Sequence, residues 1–144
     1  MIPFLITIST FFFMEFVSWF THKYIMHGFL WNLHKDHHQV DKTKTLQKND
    51  YFFLIFATPS MILIFLGYSD FNYLFYIGIG IALYGFAYFI VHEIIIHQRI
   101  KILKRIDNKY IKAIRKAHKV HHKNINKEHG SSFGMLIVSR KYFK

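Results

Sequence analysis

Hydrophobic positions along this chain fall into three long, nearly charge-free blocks, residues 2–20, 51–68 and 71–91, with polar and basic stretches between and after them. As α-helices the blocks would be about 28, 27 and 31 Å long, against a bilayer hydrocarbon core of about 30 Å. Each reads as a membrane span. Only the turn at Gly67, Tyr68, Ser69 and Asp70 separates the second from the third, so these two should form a hairpin. Pro59 lies within the second block and is expected to kink it, which neighbouring helices tolerate in a membrane. Gly78, Ala82 and Gly85 recur at helical spacing in the third block and predict one small-residue face for close helix packing.

Beyond His97 the pattern becomes amphipathic. Asp107 is the expected N-cap of a helix running to about His122. Ile111, Ile114, His118 and His121 share one face of it, while Lys109, Lys112, Lys116, Lys119 and Lys123 lie mainly off that face. The fold expected is all-α, an integral membrane protein of one domain over residues 1–144. It has about three transmembrane helices plus cytoplasmic helices in residues 22–50 and 92–144. A fourth span stays open if part of residues 92–106 re-enters the bilayer. The first block lacks the basic n-region of a signal peptide and runs directly into a histidine motif, so it is expected to be a retained span.

Charge sharpens the topology. The formal net charge is +11, and all 19 Lys and Arg lie in the two polar stretches, five in residues 22–50 and fourteen in residues 92–144. Basic residues flanking apolar runs mark cytoplasmic loops. Both stretches are then cytoplasmic, with the N-terminus and Asp70 outside. A nucleic-acid binder would spread its basic residues over a soluble domain, so the partner implied is the lipid bilayer and not nucleic acid. The chain contains no cysteine. That excludes disulfides, zinc–thiolate sites, thiolate-ligated haem and cysteine-held iron–sulfur clusters. Electrons for any redox chemistry would have to come from another protein.

Ten of the eleven histidines form two copies of one pattern, each starting at the exit of a hydrophobic block. The first copy is HKYIMH (His22, His27) followed by HKDHH (His34, His37, His38). The second is HEIIIH (His92, His97) followed by HKVHH (His118, His121, His122). Neutral imidazole ligates iron, zinc and copper, and ten rings suit two ions. In an α-helix H-x-x-H-H places its rings on one face, serving one metal or reaching toward a second. H-x4-H would set its two rings about 140° apart, so each should reach a different part of a two-metal site. Asp36 and Glu93 adjoin these motifs and are expected to orient ligand rings through their outer nitrogens. Glu15 lies seven residues before His22 inside an apolar span, where an acid is a functional candidate, orienting His22 or lying near the substrate. His129 stands outside the motifs and is assigned to a loop. A paired-histidine haem site and a transporter fit less well, because triplets on one face do not suit haem and the histidines lie at the cytoplasmic ends of the spans.

HKYIMHG, HKDHH, HEIIIHQR, HKVHH and a closing SSFG, together with Asn49-Asp50, resemble the bacterial β-carotene 3-hydroxylases. These belong to the histidine-rich di-iron group of fatty acid hydroxylases and membrane desaturases. The resemblance runs from about Glu15 to Leu136, with Glu93 standing where many relatives carry Asp. It implies two non-haem iron ions held by the ten histidines (zinc being able to substitute in a preparation) and O2 as co-substrate. It further implies hydroxylation of β-carotene at carbon 3 of its rings, through β-cryptoxanthin to zeaxanthin, with reduced ferredoxin and its reductase as electron source. Phe29, Trp31 and the third span could line the hydrocarbon's path. The expected location is the cell membrane, with the active site on its cytoplasmic side. Ketolase, desaturase, and sterol or fatty acyl hydroxylase activities share the same histidine motifs and remain alternatives.

Overall fold

The computed structural model describes residues 1–144 apart from 42, 44, 45, 104, 105 and 107. Helix α1 (Ile2–Phe20) continues without a break into a π-helical stretch, Thr21–Phe29, which ends in a kink at Gly28. Helix α2 (Trp31–His38) and a short 3-10 turn (Lys48–Asp50) lead into α3 (Tyr51–Gly67). After a tight turn α4 (Tyr73–Tyr88) runs into a second π-helical stretch, Phe89–Ile96. Helix α5 (Lys109–His122) and a 3-10 turn (Arg140–Phe143) complete the order. No strand occurs among the described residues. Three continuous helices, Ile2–Phe29, Lys48–Gly67 and Tyr73–Ile96, are long and apolar enough to cross a membrane.

The third span begins later and ends later than its hydrophobic block. Phe71 has φ of 48° and belongs to the turn, and Asn72 caps α4 by accepting from the Leu74 amide at 3.0 Å. At the other end the helix passes Val91 and carries His92 within it. The hairpin turn closes tightly because Gly67 has no Cβ; one would come within 2.3 Å of the Phe75 amide nitrogen. Helix α3 runs from Tyr51 to Gly67 with Pro59 inside it. Asp107, the expected cap of α5, lies outside the described residues, and the cap observed is Asn108, whose side chain accepts from the Ile111 amide at 2.8 Å. The four lysines of α5 and Lys123 at its C-cap are exposed, while Ile111, Ala113, Ile114, Ala117, His118 and His121 are buried.

The expected small-residue face on α4 needs correction. Helix α4 packs on two sides at once, against α3 through Gly78 and against α1 through Gly80. A Cβ on Gly78 would meet Ser60 O at 2.9 Å, and one on Gly80 would meet Thr7 O at 2.7 Å. Ala82 is exposed and a Cβ on Gly85 would meet nothing within 4 Å. A helix wedged between two neighbours needs a close approach on opposite sides, and residues two apart supply that better than residues four apart. Side-chain bonds fix both contacts: Ser60 Oγ donates to Gly78 O at 2.8 Å and Thr7 Oγ1 to Tyr76 O at 3.3 Å. Toward the histidine end, Met14, Tyr84 and Met135 form a buried cluster where α1, α4 and the C-terminal segment meet. Large apolar side chains such as Phe12, Phe53 and Phe65 cover the outer faces, as a lipid-facing surface requires.

Gly80→Ala should therefore destabilise the protein by about 1–3 kcal/mol through overpacking. Gly85→Ala should be neutral or stabilising by up to about 1 kcal/mol, because alanine restricts the unfolded chain more than glycine does. Thermal unfolding of the two variants in detergent micelles checks this. Equal shifts would mean that α4 is not wedged against α1.

Candidate metal centre

The structure gathers nine of the ten motif histidines into two groups, each with ligand nitrogens lying within 4.8 Å of one another. The first holds His22, His27, His34, His38 and His121; the second holds His37, His97, His118 and His122. Opposite ligands about 2.1 Å from one ion would stand roughly 4 Å apart, a comparable span. The assignment of rings crosses the two sequence copies. Each group takes the outer two histidines of its own H-x-x-H-H and the middle histidine of the other copy. His38 and His122, equivalent positions in the two copies, stack at 4.6 Å and 17° between the groups. His92 lies against the second group without joining it. Its ring is sandwiched between Tyr88 at 4.7 Å and His37 at 5.0 Å, and it lies 4.5 Å from the His97 ring.

Helix geometry explains the split. At about 100° per residue, the first and third histidines of H-x-x-H-H differ by only about 40°, while the middle one stands about 60–100° from them. Two rings therefore serve one site and the third reaches the neighbouring site. The H-x4-H pairs behave differently from the expectation drawn from ideal α geometry. His22 and His27 lie in one π-helical segment, and His92 lies in the other with His97 as its C-cap; there i→i+5 closure brings residues five apart onto one face. His97 N bonds to His92 O at 2.9 Å and Leu30 N to Ile25 O at 3.0 Å, each a five-residue closure. His22 and His27 accordingly join the same group, with ring centroids 5.3 Å apart.

Outer contacts fix the tautomers of the first group. The Nδ1 atoms of His22, His27, His38 and His121 face the main-chain oxygens of Phe133, Lys127, Asn124 and Ser131 at 2.8–3.1 Å. His34 Nδ1 faces Asn49 Oδ1 at 2.7 Å. A carbonyl oxygen only accepts, so each neutral ring carries its proton on Nδ1 and a lone pair on Nε2. Yet His22 Nε2 and His38 Nε2 each sit 3.1 Å from His34 Nε2, and His27 Nε2 sits 3.3 Å from His121 Nε2. Lone pairs face lone pairs. In the second group His97 Nε2 and His118 Nε2 lie 2.8 Å apart, while His37 Nε2 and His122 Nε2 are buried with no partner among the described residues. Protonation does not relieve this. Burial, with repulsion between rings added, holds His34 and His97 down to about 2, His121 and His122 to about 3 and His38 to about 4, and His37 and His118 also lie well below the ordinary imidazole value. Cations among the nitrogens satisfy every lone pair, so the donor set fits two imidazole-binding metal ions.

The three acids take different positions. Glu93 Oε1 lies 2.6 Å from His92 Nδ1, and Arg99 Nη1 lies 3.1 Å from Glu93 Oε2 and 2.9 Å from Asp50 Oδ1. Asp36 acts a step farther out: it accepts from the Lys48 and Asn49 amides at 2.5 and 3.4 Å, and so fixes the 3-10 turn from which Asn49 reaches His34. Gln47 beside that turn meets His37 Nδ1 at 3.1 Å. Glu15 is buried and serves the C-terminal segment. It accepts from the Tyr84 hydroxyl at 2.8 Å and, on one oxygen, from the amides of Met135, Leu136 and Ile137 at 2.9–3.0 Å. The same segment supplies Ser131 O and Phe133 O to His121 and His22, so Glu15 anchors the strap that orients two rings. Arg115, which sequence reasoning did not single out, ties α5 to the second π-helical stretch by donating to Ile95 O at 3.0 Å. Trp31 packs on His27 at 5.2 Å and on His38 at 5.5 Å, whereas Phe29 is largely exposed. His129 lies in an exposed bend with φ of 62°.

Comparison with known proteins places the chain in a family. The family model described as fatty acid hydroxylase matches residues 7–138. A protein of Paracoccus sp. (strain N81106 / MBIC 01143) named beta-carotene hydroxylase is 34% identical over 139 residues, covering 96% of this chain and 85% of its own. A Pantoea ananas protein of the same name is 39% identical over 125 residues, covering 87% and 71%. No solved structure matches the chain.

Two outcomes follow from the buried rings and their strap. Unfolded imidazoles take up protons near pH 6.5, whereas the buried ones stay neutral to far lower pH. Between those limits the unfolded state binds more protons, so metal-free protein should lose stability as pH falls from about 7.5 to about 5.5. Thermal unfolding after chelator treatment checks this, and a midpoint unchanged across that range would mean that the rings are not held neutral. Glu15→Ala should release the strap and weaken metal binding at the first group by roughly 10–100-fold, the usual cost of losing a partner that orients a ligand. Glu15→Gln, which keeps one accepting oxygen, should fall between. Metal content after dialysis against graded chelator reads both, and parental retention by Glu15→Ala would sink the idea.

Proposed function

Because the chain belongs to the fatty acid hydroxylase family, we propose that it hydroxylates β-carotene at carbon 3 of its β-ionone rings, yielding zeaxanthin by way of β-cryptoxanthin, at a centre of two non-haem irons. The observation that carries this reading is the pair of buried imidazole groups at the ends of three membrane-spanning helices, in a chain aligned almost throughout with relatives named for that reaction.

A ring C–H bond of this kind has no acidic proton and no electrophilic carbon, so side chains alone cannot attack it. The irons, when bound, supply the oxygen-activating chemistry and the protein supplies ligands, placement and electrostatics. His22, His27, His34, His38 and His121 would hold one ion and His37, His97, His118 and His122 the other, with His92 alongside the second. Each hydroxylation puts one atom of O2 into the C–H bond and takes the other to water with two electrons and two protons. The chain's own part is to keep the Nδ1 protons of the first group on carbonyl acceptors, which leaves the Nε2 lone pairs of those five rings directed inward. Glu93 and Arg99 balance charge beside His92. Burial of His34, His37 and His121 keeps bulk water from the ligand nitrogens, a requirement for controlled oxygen chemistry.

Electrons would come from reduced ferredoxin, recharged by its reductase. The exposed lysines of α5 give such an acidic donor a complementary surface beside the second group. With the basic stretches on the cytoplasmic side, the protein is a multi-pass cell-membrane enzyme whose centre faces the cytoplasm.

Pigments extracted from β-carotene-producing cells that express the chain should contain β-cryptoxanthin and zeaxanthin, and cells expressing His118→Ala should contain neither. Protein loaded with zinc, which has no redox chemistry, should be silent even with reduced ferredoxin. Unchanged β-carotene, with the protein demonstrably in the membrane and a competent ferredoxin supplied, would defeat the substrate assignment and turn the search to sterols and acyl chains.

A further inference from the structure

A cavity of about 500 Å³ lies between the second half of α1 and the C-terminal strap, with Phe16 and Trp19 on one wall and Phe133, Ile137 and Tyr142 on the other. Its size falls in the range that holds small organic ligands. Among the polar groups in its wall Glu15, Ser132 and Tyr142 are already engaged, and the Lys141 amine lies over the Tyr142 ring at 5.0 Å. Glu15 accepts four hydrogen bonds, and the Ser132 and Tyr142 hydroxyls pair at 2.5 Å. What faces the space is chiefly hydrocarbon and aromatic ring.

Two further observations give the cavity a direction. Its inner wall is shared with the first histidine group, since the Phe133 ring lies 5.1, 5.3 and 5.4 Å from the rings of His27, His121 and His22. Space for that ring is reserved in the sequence: a Cβ on Gly130 would come within 2.7 Å of its Cζ. Its outer end is continuous with the lipid-facing side of α1, where Phe12, Phe16 and Phe20 are exposed at four-residue spacing. A second cavity, lined by Asn124, Asn126, Lys127, Glu128 and His129, has no hydrophobic or aromatic hydrocarbon side chain in its wall and lies away from the lipid-facing stripe of α1.

We propose that the α1–strap cavity seats the cyclic end of a long polyene hydrocarbon, and that Phe133 sets which ring carbon faces the first histidine group. The proposal rests on the carotenoid reading for its ligand and adds the place and the positioning residue. The cavity is too small for a forty-carbon molecule, so the chain of the substrate lies along the Phe12–Phe16–Phe20 stripe within the bilayer while one ring enters.

The absence of native cysteine makes a protection experiment clean. Ser132→Cys places a near-isosteric thiol in the cavity, and Ile62→Cys places one on the exposed face of α3. Both proteins, in lipid vesicles with or without β-carotene, are treated with a small membrane-permeant thiol reagent. With β-carotene at about ten times its Kd, mass action should slow labelling at position 132 by roughly tenfold and leave position 62 unchanged. Phe133→Ala, with metal content as in the parent, should raise severalfold the share of product hydroxylated away from carbon 3. Equal labelling at position 132 with and without β-carotene, in protein that still converts it, overturns the cavity assignment and leaves the reaction reading intact. Protection without conversion supports the seat and defeats the reaction reading. Neither protection nor conversion defeats both. A parental product pattern from Phe133→Ala overturns the role given to that residue.

Discussion

The arrangement depends on one electrostatic constraint: many neutral imidazoles buried together with their lone pairs converging. A buried lone pair without a donor costs free energy comparable to a lost hydrogen bond, and in the first group several face one another at 3.1–3.3 Å. The rings of the first group cannot turn away, because carbonyl acceptors hold their other nitrogens. Nor do they protonate readily, because burial disfavours the charged form. A cation at each focus would make the geometry favourable. The loop after α5 and the strap behind it supply four of those carbonyls, from Asn124, Lys127, Ser131 and Phe133. Their irregular backbone is what leaves carbonyls unspent on helical bonds and available to the rings.

The membrane spans and the centre are coupled through the helix ends. An α-helix continued past Phe20 would point His22 and His27 in divergent directions. The π-helical stretches use one extra residue per turn to bring each H-x4-H pair onto one side, and they do so directly in line with α1 and α4. The position of the centre therefore follows from how α1 and α4 pack. That packing is set by Gly80 against Thr7 and Thr10 and by Glu15, which joins Tyr84 of α4 to the strap. A single buried carboxylate thus links the lipid-embedded core to two ligand rings without touching either one.

Much of this was legible in the sequence, and the departures have specific physical sources. Three spans, the hairpin and the amphipathic α5 follow from period and length, which single-sequence pattern captures well. That the rings suit two ions and that a triplet can reach toward a second site followed from spacing, but which ring of each triplet crosses did not. Dividing H-x-x-H-H required taking the 60–100° offset of its middle ring as a change of destination, not as scatter on one face. The π-helical segments carry no propensity signal, so H-x4-H was read with α geometry and its convergence was missed. Glu15 could be flagged as a costly intramembrane acid, yet its partners are amides some 120 residues away, and nothing local announces them. Phe71 looked like the start of a span because it is apolar; the Asn two residues before Leu74 decided otherwise by capping.

The two sequence copies produce similar ligand sets in unlike surroundings, and the difference bears on how such a centre works between oil and water. Around the second group lie Glu93, Arg99 and Asp50, a charged network next to the lysine-covered helix α5. Around the first group lie neutral carbonyls, the ring of Phe133 and an apolar cavity that opens beside α1. A hydrocarbon can approach only where no charge must be stripped of water, and a soluble electron donor can dock only where charge is displayed. Crossing the middle histidine of each triplet into the opposite group ties these two environments together. His37 and His121 lie on α2 and α5 respectively, and each is also held by a contact belonging to its own copy's surroundings, Gln47 for His37 and Ser131 for His121. Any shift of one half is therefore transmitted to the ligand set of the other. The exchange makes one centre out of two repeats that would otherwise be free to bind their ions independently.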